Sequence, residues 1–161
     1  SYCMTGWRIG FGTGPVELIK AMSKLQSQST SSPNSIAQYA AVAALDGPLD
    51  FIAENRKAFV RRRQFVCNAL NYIDGIDCPH PDGAFYVYPS IAELIGKKRP
   101  DGAVIETDSD FVRYLLEVGE VAVVPGVAFG LSPHFRISYA ASDEMLEDAM
   151  ARIATVTAAL S

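Results

Sequence analysis

What this sequence has little of narrows its class first. Basic residues number 14 against 18 acidic ones, a net charge of −4. That leaves no basic stripe for nucleic acid and no polybasic patch for a membrane surface. No apolar run approaches the ~20 residues that a membrane-spanning helix needs. No charged segment followed by an apolar one opens the chain, so no secretion signal is expected and a cytoplasmic location is. Three scattered cysteines, Cys3, Cys67 and Cys78, form no C-x-x-C pair. This favours reduced thiols over a disulfide framework or zinc site, and no metal is expected. The two histidines, His80 and His134, stand beside prolines and read as loop residues rather than ligands or bases. What is present suffices for a core: 49% of the 161 residues are apolar.

The most informative stretch is the first, Ser1-Tyr2-Cys3-Met4-Thr5-Gly6-Trp7-Arg8-Ile9-Gly10-Phe11-Gly12-Thr13-Gly14. Arg8 is a fixed cation in an otherwise apolar and glycine-rich run. A guanidinium is costly to bury unless an anion meets it, and its planar fork suits phosphate better than the point charge of lysine. Gly6 and Gly10 permit close approach of backbone to a ligand. The run Gly10-Phe11-Gly12-Thr13-Gly14 lacks the G-x-G-x-x-G spacing of a dinucleotide loop, and that reading is rejected.

Met4-Thr5-Gly6-Trp7-Arg8-Ile9-Gly10 resembles the segment that follows the cofactor lysine in the class I/II aminotransferases, the aspartate aminotransferase-like branch of the fold-type I pyridoxal-phosphate enzymes. The family pattern is Ser-Lys-x-x-x-Met-Thr-Gly-Trp-Arg-x-Gly. Ser1, Tyr2 and Cys3 fill the three variable positions, so the lysine is expected immediately before Ser1 and no catalytic residue within the chain. The chain accordingly resembles the C-terminal part of such an enzyme, inactive and poorly stable when alone. The resemblance assigns Arg8 to the phosphate of pyridoxal 5'-phosphate. It places the polar run Gln26–Asn34 at a homodimer interface near the neighbouring subunit's cofactor phosphate, with Ser29 and Asn34 as candidate cofactor-binding residues.

Spacing organises the rest. Trp7 to Thr13 reads as a strand broken by Gly14-Pro15, after which Pro15 opens a helix with Val16, Ile19, Met22 and Leu25 on one stripe. Gln26 to Asn34 reads as a loop by composition. Asn34 or Ser35 could cap a helix through Leu45, and a long amphipathic helix is expected over Leu49 to Ile73, about 40 Å at 1.5 Å per residue. Arg61-Arg62-Arg63 on it reads as a solvated face. Ala84 to Pro89 reads as a strand, Gly96 to Gly102 as a loop insertion, Asp110 to Glu117 as a helix and Val121 to Val124 as a buried strand. Lys97 and Lys98 sit among glycine, arginine and proline, with no apolar pocket to activate an amine. Pro81 to Pro89 resembles the family's G-A-F-Y-x-(F/Y)-P strand, and Val121 to Gly130 its V-A-V-V-P-G-x-x-F-G run. Val127 stands where family members often carry a polar residue.

In Phe135-Arg136-Ile137-Ser138-Tyr139-Ala140 the apolar residues alternate with Arg136, Ser138 and Ala140. An arginine on such a strand needs an acidic partner or a ligand carboxylate. The run resembles the family's terminal signature, which implies that Arg136 binds the substrate α-carboxylate. Ser142 then caps a last helix bearing Leu146, Ala149, Ile153, Val156 and Leu160 as its buried stripe.

The expected fold is α/β: residues 1–48 as the end of a large cofactor domain, 49–74 as an interdomain helix and 75–161 as a small C-terminal domain. The implied activity is amino-group transfer between an amino acid and a 2-oxo acid by way of pyridoxal phosphate. Two alternatives stay open. One is a β-lyase or γ-synthase on the same fold; the other is a non-catalytic effector module of a regulator.

Overall fold

Proline has no N–H to leave unpaired at a helix start, and α1 (Val16–Ser29) begins directly after Pro15. The next start is capped by a side chain. Asn34 Oδ1 accepts the Ile36 N–H at 2.8 Å and the Ala37 N–H at 3.3 Å, which opens α2 (Ser35–Asp46). An unbroken α3 follows (Asp50–Asn71). The computed structural model describes all residues, 1–161, and they form two compact units, residues 1–55 and 56–161.

The first unit holds helices but no sheet. Residues 7–13, expected as a strand, instead leave a single 3-10 turn at Thr5–Trp7 and run on without pairing. A strand persists only where a neighbour takes up its N–H and C=O groups, and residues 1–55 contain no second strand. The polar run expected as a loop is shortened by its own backbone. Helix α1 continues through Ser29, leaving residues 30–34 as the connection. Of all the hydrophobic residues in this unit, Ala37 alone is buried.

The second unit is built on three short antiparallel strands in the order β1-β3-β2: β1 (Tyr86–Val87), β2 (Val124–Pro125) and β3 (Phe135–Ser138). Tyr86 lies opposite Ser138, Val87 opposite Ile137, and Val124 opposite Arg136. In sequence one α-helix falls between β1 and β2 and another follows β3. α4 (Asp108–Glu117) starts two residues earlier than its apolar pattern suggests, because Thr107 and Asp110 form a reciprocal capping box that recruits another turn. α5 (Asp143–Ala158) is capped by Ser142 Oγ, which accepts the Met145 N–H. Val66 and Leu70 of α3, Phe111 and Leu115 of α4, Phe135 and Ile137 of β3, and Leu146 and Ile153 of α5 meet in one core. Gly75, at a φ of 88°, turns the chain out of α3 in a conformation that L-residues rarely adopt.

The segment from Gly96 to Gly102, expected as an insertion, is tied into this unit. Lys98 exchanges two backbone hydrogen bonds with Ser161, at 2.8 and 3.0 Å, and Arg99 lies over the Tyr114 ring at 4.9 Å. The arginine run on α3 is less solvated than its composition suggests. Arg61 and Arg62 share Asp143 at 2.6 and 2.7 Å, while Arg63 Nη1 donates to the Pro81 carbonyl. The Arg61 side chain nevertheless stays 63% exposed, whereas that of Arg62 is 25% exposed, and their shared acid lies in the first turn of α5.

Candidate functional site

Strand alternation places the site. Phe135, Ile137 and Tyr139 point into the core, which turns Arg136 and Ser138 to the opposite face. On that face Arg136 meets no carboxylate: none of the ion pairs in the chain includes it. Its guanidinium lies instead between two rings, 4.3 Å from the Tyr86 centroid and 4.2 Å from that of Phe129. Tyr86 reaches it diagonally from β1, since Tyr86 pairs with Ser138. Phe129 reaches it from the 3-10 turn Gly126–Phe129 that follows β2. Stacking fixes the plane of the fork and leaves its edge donors unspent, an arrangement suited to a planar carboxylate.

The turn bearing Phe129 is itself held. The Tyr88 hydroxyl donates to the Gly126 carbonyl at 2.9 Å, with the Leu131 carbonyl also in reach at 3.1 Å. Burial pushes the Tyr88 phenol above its ordinary pKa; the charge of Asp108 adds to the rise and that of Arg136 opposes it. Gly126 is required sterically. A Cβ there would run into the Leu131 and His134 carbonyls.

The residues assigned to a phosphate lie in the first unit. Arg8 closes the Thr5–Trp7 turn in a left-handed conformation, φ 50° and ψ 47°, with Nη1 donating to the Thr5 carbonyl at 3.1 Å. A non-glycine residue there stores strain of about 1–3 kcal/mol. Arg8 also makes no ion pair. Space around Gly6 and Gly10 is open, with nothing within 4 Å of where a Cβ would stand. Ser29 ends α1 with its hydroxyl donating back to Leu25 and Gln26, and Asn34 caps α2. No hydrogen bond joins Arg8 to Ser29 or Asn34. The donor chemistry at Arg8 fits a phosphate: a guanidinium in a strained turn, without an ion-pair partner, beside open glycine backbone.

Sequence reasoning picked out Arg136 and missed what surrounds it. Tyr86 and Phe129 stood inside quoted motifs, but nothing in their spacing marks them as the two faces of a guanidinium sandwich. Tyr88 likewise stood inside a quoted motif without a role assigned to it, and Asp108 carried no signal at all.

The family profile described as aminotransferase class I and II matches residues 1–153. The chain belongs to that family. It is 60% identical over all of its 161 residues to an aspartate/prephenate aminotransferase of Cereibacter sphaeroides, of which it covers 40%. It is 58% identical over the same span to an aspartate aminotransferase of Rhizobium meliloti, covering 39% of it. Among solved structures, the crystal structure of the aspartate aminotransferase from Rhizobium meliloti superposes with a TM-score of 0.90 at 57% identity, over 99% of this chain and 40% of that one. The Thermus thermophilus aspartate aminotransferase with maleate gives 0.80 at 40% identity, over 95% and 38%. The chain therefore spans about two fifths of the length of the curated relatives it matches.

Proposed function

We propose that these residues are the C-terminal part of an amino-acid aminotransferase that acts as a cytoplasmic homodimer. Residues 1–48 would complete a cofactor domain, 49–74 would link, and 75–161 would carry the substrate clamp. The observation that carries this reading is Arg136: a half-buried guanidinium, stacked on two rings, with no acid of its own. A cation so placed is uncompensated until an anionic ligand arrives. The α-carboxylate common to amino acids and 2-oxo acids matches its fork. Because the rings fix the guanidinium plane, the bound acid would be oriented as well as held, which aims its Cα–H bond.

Bound pyridoxal phosphate would supply the electron sink that makes the Cα–H bond acidic. Arg8 would meet its phosphate, with Ser29 and Asn34 as further candidates. Arg8 offers the unpaired fork, and Asn34 retains an amide donor while its oxygen caps α2. The Ser29 hydroxyl would have to leave its helix carbonyls to donate there. Aspartate is the proposed amino donor, because the relatives cited are named for aspartate or aspartate and prephenate.

The test uses the full-length protein loaded with cofactor. Arg136→Ala is expected to lower kcat/KM for an amino acid by about a hundredfold, the equivalent of one lost charge-assisted clamp. A near-normal value overturns the assignment. Product analysis separates the alternatives: a 2-oxo acid with a new amino acid marks transfer, whereas ammonia release marks a lyase.

A further inference from the structure

The second unit buries a carboxylate that the reaction outlined above does not use. Asp108, at the first position of α4, is 2% exposed. No cation pairs with it. Its Oδ2 accepts the Val127 N–H at 2.9 Å and the Ser132 hydroxyl at 2.6 Å. These two donors stand at either end of the turn that carries Phe129. One carboxylate oxygen therefore pins both ends of a six-residue connection, and the first-turn position on α4 favours its charge. A buried charge held in this way is an expensive means of closing a loop, since a neutral acceptor could serve the same two donors.

What the loop carries explains why its ends need fixing. Phe129 is 49% exposed, so burial does not hold it in place. Its position over Arg136 follows from the backbone beneath it, which turns at Gly126 and again at Gly130, where φ is 78°. Tyr88 braces the same turn through the Gly126 carbonyl and meets the Phe129 ring edge-on, with centroids 6.2 Å apart.

The geometry points to Asp108 as a positioning residue for substrate binding: by clamping Val127 and Ser132 it holds Phe129 against Arg136 and sets the plane in which that guanidinium receives a carboxylate. This rests on the proposed role of Arg136. Without the clamp the turn loosens, Phe129 leaves the guanidinium, and the fork must be ordered by the incoming acid at the expense of affinity.

The test compares Asp108→Ala, Asp108→Asn and Ser132→Ala in the full-length, cofactor-loaded protein, with Arg136→Ala as reference. Asp108→Ala is expected to raise KM for the amino acid roughly tenfold, within what a misplaced positioning group costs, while kcat falls far less. Asn retains one acceptor and the side-chain shape, so Asp108→Asn should recover part of the affinity. Ser132→Ala removes one of the two bonds and should raise KM about two- to threefold, which keeps the test alive where Asp108→Ala fails to fold. In the double variant with Arg136→Ala, loss of Asp108 should add nothing further to KM, because its effect passes through that arginine. A lowered melting temperature with KM unchanged in both Asp108→Asn and Ser132→Ala would overturn the inference and leave Asp108 a structural residue. Should Arg136→Ala itself keep a normal KM, the proposed role of Arg136 is overturned and this inference with it, an outcome distinct from a raised KM in Arg136→Ala with KM unchanged in the Asp108 and Ser132 variants.

Discussion

The two units of one chain use the same amino acids to different ends. Residues 56–161 enclose a core in which Phe111, Phe135, Leu115 and Ile153 are fully buried. In residues 1–55, Phe11 is 84% exposed, Leu25 73% and Tyr39 80%, although α1 and α2 are as apolar as the helices of the other unit. Apolar faces left uncovered in this way are unusual for a unit that packs by itself. The second unit thus encloses a core of its own, while the first leaves most of its apolar side chains exposed. The two also differ in how they hold their arginines. Arg136 is oriented by rings and a pinned turn, whereas Arg8 rests on its own strained turn alone.

This contrast is easily broken if it is wrong. The largest effect is expected from separating the halves. A peptide of residues 1–49 should show little helix and no cooperative melting, whereas residues 50–161, which keep α3 whole, should melt in one transition by circular dichroism. A folded 1–49 peptide would remove the distinction. Next in size are truncations within the 161-residue chain. Phe111→Ala should cost about 3–5 kcal/mol by chemical denaturation, and Leu25→Ala no more than about 0.5 kcal/mol. Comparable losses at the two positions would mean that α1 is packed after all. A smaller effect belongs to the capping box of α4, where Thr107→Ala should cost about 1 kcal/mol.

The smallest concerns acid. Hydrogen bonds from Thr107 hold the Asp110 carboxyl below its ordinary value near 3.8, and bonds from Arg62 and then Arg61 do the same for Asp143. A depressed native pKa stabilises fully above that ordinary value and is lost as pH falls through the lowered one. Melting temperatures of residues 50–161 should therefore drop below about pH 4, and less steeply in an Asp110→Asn, Asp143→Asn double variant. Parallel slopes would assign the acid sensitivity elsewhere.

How much of this was legible in the sequence divides along the same line. In the second unit the Ser142 cap and the alternation of β3 could be read directly, because local pattern and final packing agree there, although α4 begins two residues before the expected Asp110. Helix α3 was expected over Leu49 to Ile73 and forms over Asp50–Asn71. In the first unit the expected strand at residues 7–13 failed because a strand is a property of its neighbours, which local sequence does not contain. The same limit hid the surroundings of the site. Arg136 stands out as a charge on an apolar strand, but its flanking rings come from positions 50 and 7 residues away, and Asp108 resembles any acid at a helix start. The arginine run on α3 is solvated at Arg61, as expected, but its ion pairs were not legible for a related reason. Its counter-charge, Asp143, lies some 80 residues further along the chain.

The most direct test of the account sets an amino acid against the corresponding amine, which lacks only the carboxylate. Both would be followed by the change in cofactor absorbance in single turnovers of the full-length protein. The account predicts that Arg136→Ala slows the amino acid by about two orders of magnitude and leaves the already slow amine nearly untouched, because only the carboxylate meets that guanidinium. Equal losses for both substrates would show that Arg136 supports the fold or the cofactor rather than the carboxylate, and would contradict the account.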